Sequence, residues 1–298
     1  MAVVLAYRAL GLGDFLTGVP ALRALARAFP DADLVLAAPA VLAPLAELSG
    51  AVGELVDTAP LGPAPRGADL AVNLHGRGPQ STELLRRSRP GRLIAYGDHG
   101  PRWSPGEHEV LRWCRLLEAH GIPADPTDLA LPKPPGSAAP TTTVIHPGAA
   151  SAARRWPAER FAAVARAERD AGRRVVITGD AGERELAHDV ARLAGGVTVL
   201  AGRTDLLELA RVIAHSGRVV CGDTGVAHLA TAFGTPSVVL FGPVAPREWG
   251  PPPDRREHVA LWAGRRGDPH ASSPDAGLLA LTVDEVLDTL AGMTTVAA

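Results

Sequence analysis

The chain has 298 residues, 46% of them hydrophobic, which exceeds one comfortable core and predicts two domains of about 130–160 residues each. A formal net charge of −2 with no basic block excludes a general nucleic-acid binder, and two cysteines, Cys114 and Cys221, cannot make a disulfide framework or a zinc site. From the N-terminus, VVLAY (3–7) reads as a strand, followed by a helix with Val19, Leu22, Leu25 and Phe29 on one face and Pro20 in its first turn. DLVLAA, a short helix around 41–49, ELVD and DLAVNLH come next, then a helix around 80–88, RLIAYG, and an amphipathic helix over 107–121 stopped by Gly121. The second half repeats the rhythm: TTVIHPG, helix 157–171, RVVITGD, helix 182–194, VTVLAG, helix 205–216, RVVCGD, helix 225–233 and SVVLFGP.

Between the halves, LPKPPGSAAPTT is rich in Pro, Gly and Ala without apolar period and reads as a linker. The expected boundaries are 1–132 for an N-terminal domain, 133–142 for the linker and 143–298 for a C-terminal domain, whose last helix is a candidate to pack back on the first. Alternating strands and helices demand parallel sheets with helices on both faces. The fold class is therefore α/β: two doubly wound, Rossmann-like domains facing each other across a cleft. Ligands in such sheets bind beyond the carboxyl ends of the strands, and that rule selects the polar residues that matter.

Asp223 and Thr224 stand where the strand RVVC ends and the helix VAHLATAF begins. Gly222 and Gly225 allow a sharp turn and a close approach to a ligand, and the new helix offers free N–H groups suited to a phosphate. The competing reading is a simple helix cap. Three neighbouring strand ends carry similar equipment: HPG at 146–148, TGDAGER at 178–184 and LAGRTD at 200–205. After Gly148, the loop AASAARRWP presents Ser151 and then Arg154 and Arg155, a guanidinium fork matched to a diphosphate; the alternative is a solvated arginine pair. Lys133 is the only lysine, so a phosphate-holding cation here is almost forced to be arginine. Glu183 is placed to accept from ribose hydroxyls or to serve as a first-turn dipole partner, and Thr204 stands at the third strand end.

In the first half, the Gly-rich turn GLGD (11–14) follows the first strand. A dinucleotide fingerprint would need glycine at Leu16, so a hydride-transfer site is disfavoured; the turn, with Gly13, presents Asp14 into the cleft or caps the helix. Arg8 and His75, at the carboxyl ends of their strands, are the candidate acceptor contacts. Asp31-Ala32-Asp33 imitates a metal-binding D-x-D but precedes a strand, at the edge away from the ligand. His108-Glu109 meets Arg112 where a zincin would have histidine, and no G-x-S-x-G is present. No metal site and no cofactor are expected. The start MAVVLAYRALGLGD lacks a basic n-region, and no segment approaches twenty uninterrupted apolar residues, which predicts a cytoplasmic protein without a transmembrane segment.

GLGDFLTGVPALRALARAFPDA, HPGAA…RRWP, TGDAGERE and GDTGVAHLATAFGTPSVVLFGP together resemble glycosyltransferase family 9, the ADP-heptose:lipopolysaccharide heptosyltransferases, over nearly the whole chain to about residue 250. The D-T-G-x-x-H-L-A stretch is the most specific part. The resemblance implies a GT-B architecture with an acceptor domain first and a nucleotide-sugar domain second. It further implies metal-independent, inverting transfer from a nucleotide-diphosphate sugar, ADP-heptose foremost, to a hydroxyl of a glycan or glycosylated natural product. The implied general base falls on Asp14. The family's phosphate-binding lysine falls on Arg154, since RRW replaces K-x-W, and the D-T-G loop on Asp223, Thr224 and Gly225 with His228 in the following helix. The tail over 251–277 lacks the cysteine cluster of many members. Competing readings are a non-hydrolysing nucleotide-sugar epimerase, which would need several carboxylates and histidines rather than Asp14 alone, and a catalytically idle sugar-nucleotide-binding module. A lipid-linked acceptor would bring peripheral membrane contact.

Overall fold

The computed structural model describes residues 1–97 and 100–293. The chain divides into two units, Met1–Pro132 and the residues from Lys133 onward. Unit 1 holds β1 (Ala2–Tyr7), α1 (Leu12–Ala28), β2 (Ala32–Ala38), α2 (Ala43–Ser49), β3 (Glu54–Asp57), β4 (Leu70–Asn73), α3 (Gln80–Arg87), β5 (Arg92–Ile94) and α4 (Glu109–Glu118). Its sheet has the order β3-β2-β1-β4-β5, with every pairing parallel. Helices cover both faces of such a sheet, so its strands are apolar without alternation; Val4 to Tyr7 and Leu34 to Ala38 are all buried.

The helix after the first strand starts at Leu12, so Pro20 lies inside it rather than in its first turn. Proline costs about 3 kcal/mol in a helix interior. Here Phe15, Leu16, Val19, Leu22 and Leu25 bury one face of the same helix, and that burial, at about 1.5–3 kcal/mol per large side chain, outweighs the missing N–H. The long amphipathic helix ends at Glu118, and Gly121 follows with φ +79° in the left-handed region, where glycine carries no steric penalty.

Unit 2 contains β6 (Ala139–His146), α5 (Ala158–Asp170), β7 (Arg174–Ile177), α6 (Arg184–Ala194), β8 (Thr198–Val199), α7 (Leu206–His215), β9 (Ser216–Gly222), α8 (Gly225–Phe233), β10 (Ser237–Phe241), α9 (Pro246–Trp249), β11 (His258–Trp262), α10 (Ala276–Ala280) and α11 (Val283–Gly292). The sheet order is β11-β10-β9-β6-β7-β8, again parallel throughout. Two features depart from expectation. β6 begins at Ala139, inside the segment read as linker, with a register shift before Thr143. HVALW forms a sixth strand that pairs with β10. Val286 and Leu290 of α11 lie in the core of unit 2 with Trp156 and Phe161, and Trp156 Nε1 donates to the Leu281 carbonyl at 3.2 Å.

In both sheets the chain runs outward one way from a central strand, then returns and runs the other way. The reversal falls between β1 and β4 in unit 1 and between β6 and β9 in unit 2. Crevices beyond the carboxyl ends of those strand pairs are where such sheets bind ligands. Among the described residues no helix is long and apolar enough to cross a membrane.

Candidate functional site

The reversal point of unit 2 is built by the loops after β6 and β9, where His146 pairs in register with Cys221. Beyond β6, a short 3-10 turn over Ala152–Arg154 aims the Arg154 side chain at the other loop. Its Nη1 lies 3.6 Å from Asp223 Oδ2 and 3.4 Å from the Asp223 carbonyl, while its buried Nε has no hydrogen-bond partner. Burial pushes the Asp223 carboxyl above its usual range, and Arg154 opposes the shift. A Cβ on Gly222 would meet the Arg154 carbonyl at 3.0 Å, so glycine lets the two loops close on each other.

Thr224 is the N-cap of α8, in extended conformation, yet its side chain makes no capping bond. The capping alternative is therefore not realised, and the hydroxyl stays beside the first-turn N–H groups that every helix leaves unpaired. Gly225 opens that turn. His228, four residues after Thr224, sets its ring 6.1 Å from the Trp249 ring, edge to face. Asp223 cannot itself coordinate an unprotonated phosphate. In the structure its carboxylate and its carbonyl both face Arg154 Nη1.

Other sequence-selected residues fall differently. The Ser151 hydroxyl donates to the Pro269 carbonyl at 2.6 Å, so its one proton tethers the loop instead of meeting a phosphate. Ala153 N–H donates to Ala271 O and Asp275 N–H to Ala153 O, which straps the loop from a distant segment. Arg155 turns its Nε to the Ala149 carbonyl at 2.9 Å, so of the expected fork it is Arg154 that faces Asp223. Glu183 lies against Gly148, where any Cβ would collide with its carboxylate. Its Oε2 accepts from Asp180 N–H at 2.9 Å and stands 3.7 Å from His146 Nε2; burial holds that histidine below its ordinary pKa. Thr204 precedes the Asp205 capping box of α7, after the edge strand β8 and two strands from β6.

At the reversal point of unit 1, Asp14 sits in the first turn of α1, with Gly13 before it and Gly11 as the N-cap. The Gly13 carbonyl accepts from Thr17 Oγ1 at 3.0 Å. Burial raises the Asp14 pKa, Arg8 opposes the rise and Glu109 adds to it. Arg8 is not available to an acceptor, which corrects that expectation. It is 1% exposed, and its guanidinium donates to the carbonyls of Asp14 and Leu74 and, at 3.1 Å each, to Thr17 Oγ1 and Glu109 Oε1. His75 follows β4 across the crevice. Its ring stands 5.2 Å from the Tyr7 ring, its Nδ1 is buried without a partner, and burial followed by the Arg8 charge lowers its pKa. Among the described residues no three His, Cys, Asp or Glu side chains cluster as a metal site.

The family model for glycosyltransferase family 9 (heptosyltransferase) matches residues 84–273, more than half of the chain. The chain belongs to glycosyltransferase family 9. A curated relative, lipopolysaccharide heptosyltransferase 2 of Escherichia coli K12, is 32% identical over 149 residues, covering 46% of this chain and 42% of its own. The chain spans less than half the length of the curated relatives it matches. Solved structures extend the likeness to nearly every residue. E. coli ADP-heptose lps heptosyltransferase II has a TM-score of 0.77 at 20% identity over 98% of both chains. An E. coli heptosyltransferase with ADP-2-deoxy-2-fluoro heptose has 0.73 at 21%, over 97% of this chain and 99% of that one. The fold of this family 9 chain is GT-B, two parallel-sheet α/β units.

The residue that sequence reasoning missed in this family 9 member is Glu109, dismissed with the zincin-like His-Glu pair. Its signal was weak: a lone acid opening the amphipathic helix α4. Asn73, fully buried at the end of β4, was also passed over. It donates to Ser81 Oγ and Thr82 Oγ1 at 3.0 Å and accepts from His75 N–H at 3.1 Å, fixing the loop that carries the histidine.

Proposed function

We propose that this protein is an inverting, metal-independent glycosyltransferase. It moves a heptose from ADP-heptose to a hydroxyl of a glycan or glycosylated natural product, in the cytoplasm. The names of the curated relatives point to lipopolysaccharide as the class of acceptor. The observation that carries the donor half is Arg154, a partly exposed guanidinium held against Asp223 beside the N-terminus of α8. The Arg154 side chain is 25% exposed, so its guanidinium is open to donate a charge-assisted bond to a diphosphate oxygen.

In the reaction the acceptor oxygen attacks the anomeric carbon as the bond to the diphosphate breaks. Charge builds on the leaving oxygen, where Arg154 and the first-turn N–H groups of α8 stabilise it without reorganisation. The acceptor hydroxyl is too weak an acid to ionise at neutral pH, so a base must take its proton. Asp14 is proposed for that role, and a carboxyl pushed up by burial is better matched to it than an ordinary one. Direct displacement inverts the anomeric configuration.

Asp14→Asn keeps the shape and cannot accept the proton. Turnover should fall by about 10²–10⁴, with ADP affinity and melting temperature nearly unchanged. Near-wild-type turnover would reject Asp14 as the base, and a product with the donor's configuration would reject inversion. A wild-type protein that binds ADP yet transfers nothing across an acceptor panel would favour the idle binding module.

A further inference from the structure

Four charged side chains of unit 1 form a chain of alternating sign: Arg112, Glu109, Arg8 and Asp14. Arg112 Nε donates to Glu109 Oε2 at 3.0 Å. Glu109 Oε1 accepts from Arg8 Nη2 at 3.1 Å and from Trp113 Nε1 at 2.8 Å. Arg8 Nη2 lies 3.5 Å from Asp14 Oδ1. The side chains of Arg112, Glu109 and Arg8 are 6%, 10% and 1% exposed, and that of Asp14 is 29%. Three members are sealed in the protein. The Asp14 end reaches solvent at the reversal point, and beyond Arg112 the charges continue through Glu107 to the partly exposed Arg115.

Buried charges are expensive unless paired, and a surface ion pair would have held the fold at less cost. This chain instead delivers a balanced set of charges to the carboxylate at the reversal point. Room is made for it: a Cβ on Gly18 would meet the Arg8 stem at 3.0 Å. Arg8 also ties the carbonyls of Leu74 and Asp14 together, so it fixes both the position of the first turn of α1 and the potential at its acid.

We propose that Glu109 is a positioning residue for Asp14, acting through Arg8: it neutralises part of the guanidinium charge, so the carboxylate is oriented by Arg8 without being over-stabilised as an anion. The function assigned to the carboxylate rests on the proposal that Asp14 is the base. The charge coupling itself does not. Among the described residues, the charged and titratable groups of unit 1 around this carboxylate are Arg8 on the β1–α1 connection and Glu109 with Arg112 on α4, and His75 after β4 lies within the influence of Arg8.

The signs follow from Coulomb interaction. Removing Arg8 leaves Glu109 against Asp14 and raises the acid's pKa. Removing the Glu109 charge exposes Asp14 to the full guanidinium and lowers it. The test is a carbon-13 NMR titration of the aspartate carboxyls in the full-length protein, with the Asp14 resonance assigned by its loss in Asp14→Asn. Arg8→Met should move the midpoint up by about 1–3 units, the range for losing an opposite charge at this separation. Glu109→Gln should move it down, and Arg8→Lys should restore it towards wild type. A titration midpoint is read from the folded molecules alone, so partial loss of stability leaves it interpretable. If Arg8→Met does not fold, the Glu109→Gln shift decides. An unmoved or raised midpoint in Glu109→Gln overturns the proposal. Full turnover in Asp14→Asn would instead overturn the base assignment and leave the charge coupling standing.

Discussion

Replacing Arg154 by alanine removes the guanidinium that faces Asp223 between the two loops at the unit 2 reversal point, and the expected effect has two parts. The lost contact is charge-assisted, worth about 1.5–3 kcal/mol, which is roughly ten- to a hundredfold in ADP affinity. The second part concerns the carboxylate left behind. Asp223 is buried and pushed up by that burial, with Arg154 the influence that holds it down. Without the guanidinium, Asp223 takes up a proton more readily, so the folded protein should lose stability as pH rises through the new, higher folded pKa. Asp223→Asn separates the two parts, because it keeps Arg154 and removes a negative charge beside the diphosphate site. Calorimetry with ADP should show a large loss for Arg154→Ala and no loss for Asp223→Asn, whose removed charge opposes the anionic ligand. The double variant should recover stability without recovering affinity. Unchanged ADP affinity in a folded Arg154→Ala protein would refute the reasoning.

Three further outcomes are expected. Transfer should continue in EDTA, because arginine and a helix N-terminus are assigned the task of a metal; loss of activity restored by magnesium or manganese would contradict this. His258 is buried, bonded through Nδ1 to Ser237 Oγ at 2.9 Å, and burial lowers its pKa to about 4. The unfolded chain protonates near the ordinary value of about 6.5, so this stability is fully present above that pH and is lost as pH falls towards 4. Between pH 7 and 5 the wild type should lose about 2 kcal/mol more than His258→Gln in urea unfolding. The difference isolates His258 from Asp14 and Asp223, whose raised pKa values act in the opposite direction; parallel pH slopes would argue against it. Gly148→Ala forces Glu183 off its bond to Asp180 N–H, and overpacking of this kind costs about 1–3 kcal/mol. An unshifted melting temperature would show that the loop yields freely.

The sequence alone determined the alternation of strands and helices, because a parallel sheet buried on both faces writes each strand as an unbroken apolar run and each helix as a 3.6-residue period. It also marked the loop after β9, since Gly-Asp-Thr-Gly at a strand-to-helix junction is a local pattern with a local physical reason. Pro20 misled it: a helix start is read from nearby residues, whereas the burial that carries α1 through the proline comes from the sheet beneath. β11 escaped for a similar reason, as five residues amid a Pro- and Arg-rich tail become a strand only when β10 offers an edge. Charge partners were the least legible. Arg8 and Glu109 are 101 positions apart, and Ser151 meets Pro269 across 118. Periodicity tells which side chains leave water, but which buried charge faces which is decided when the topology closes. Tertiary structure therefore turned Arg8 from a substrate contact into the support of Asp14, and Ser151 from a phosphate contact into a tether.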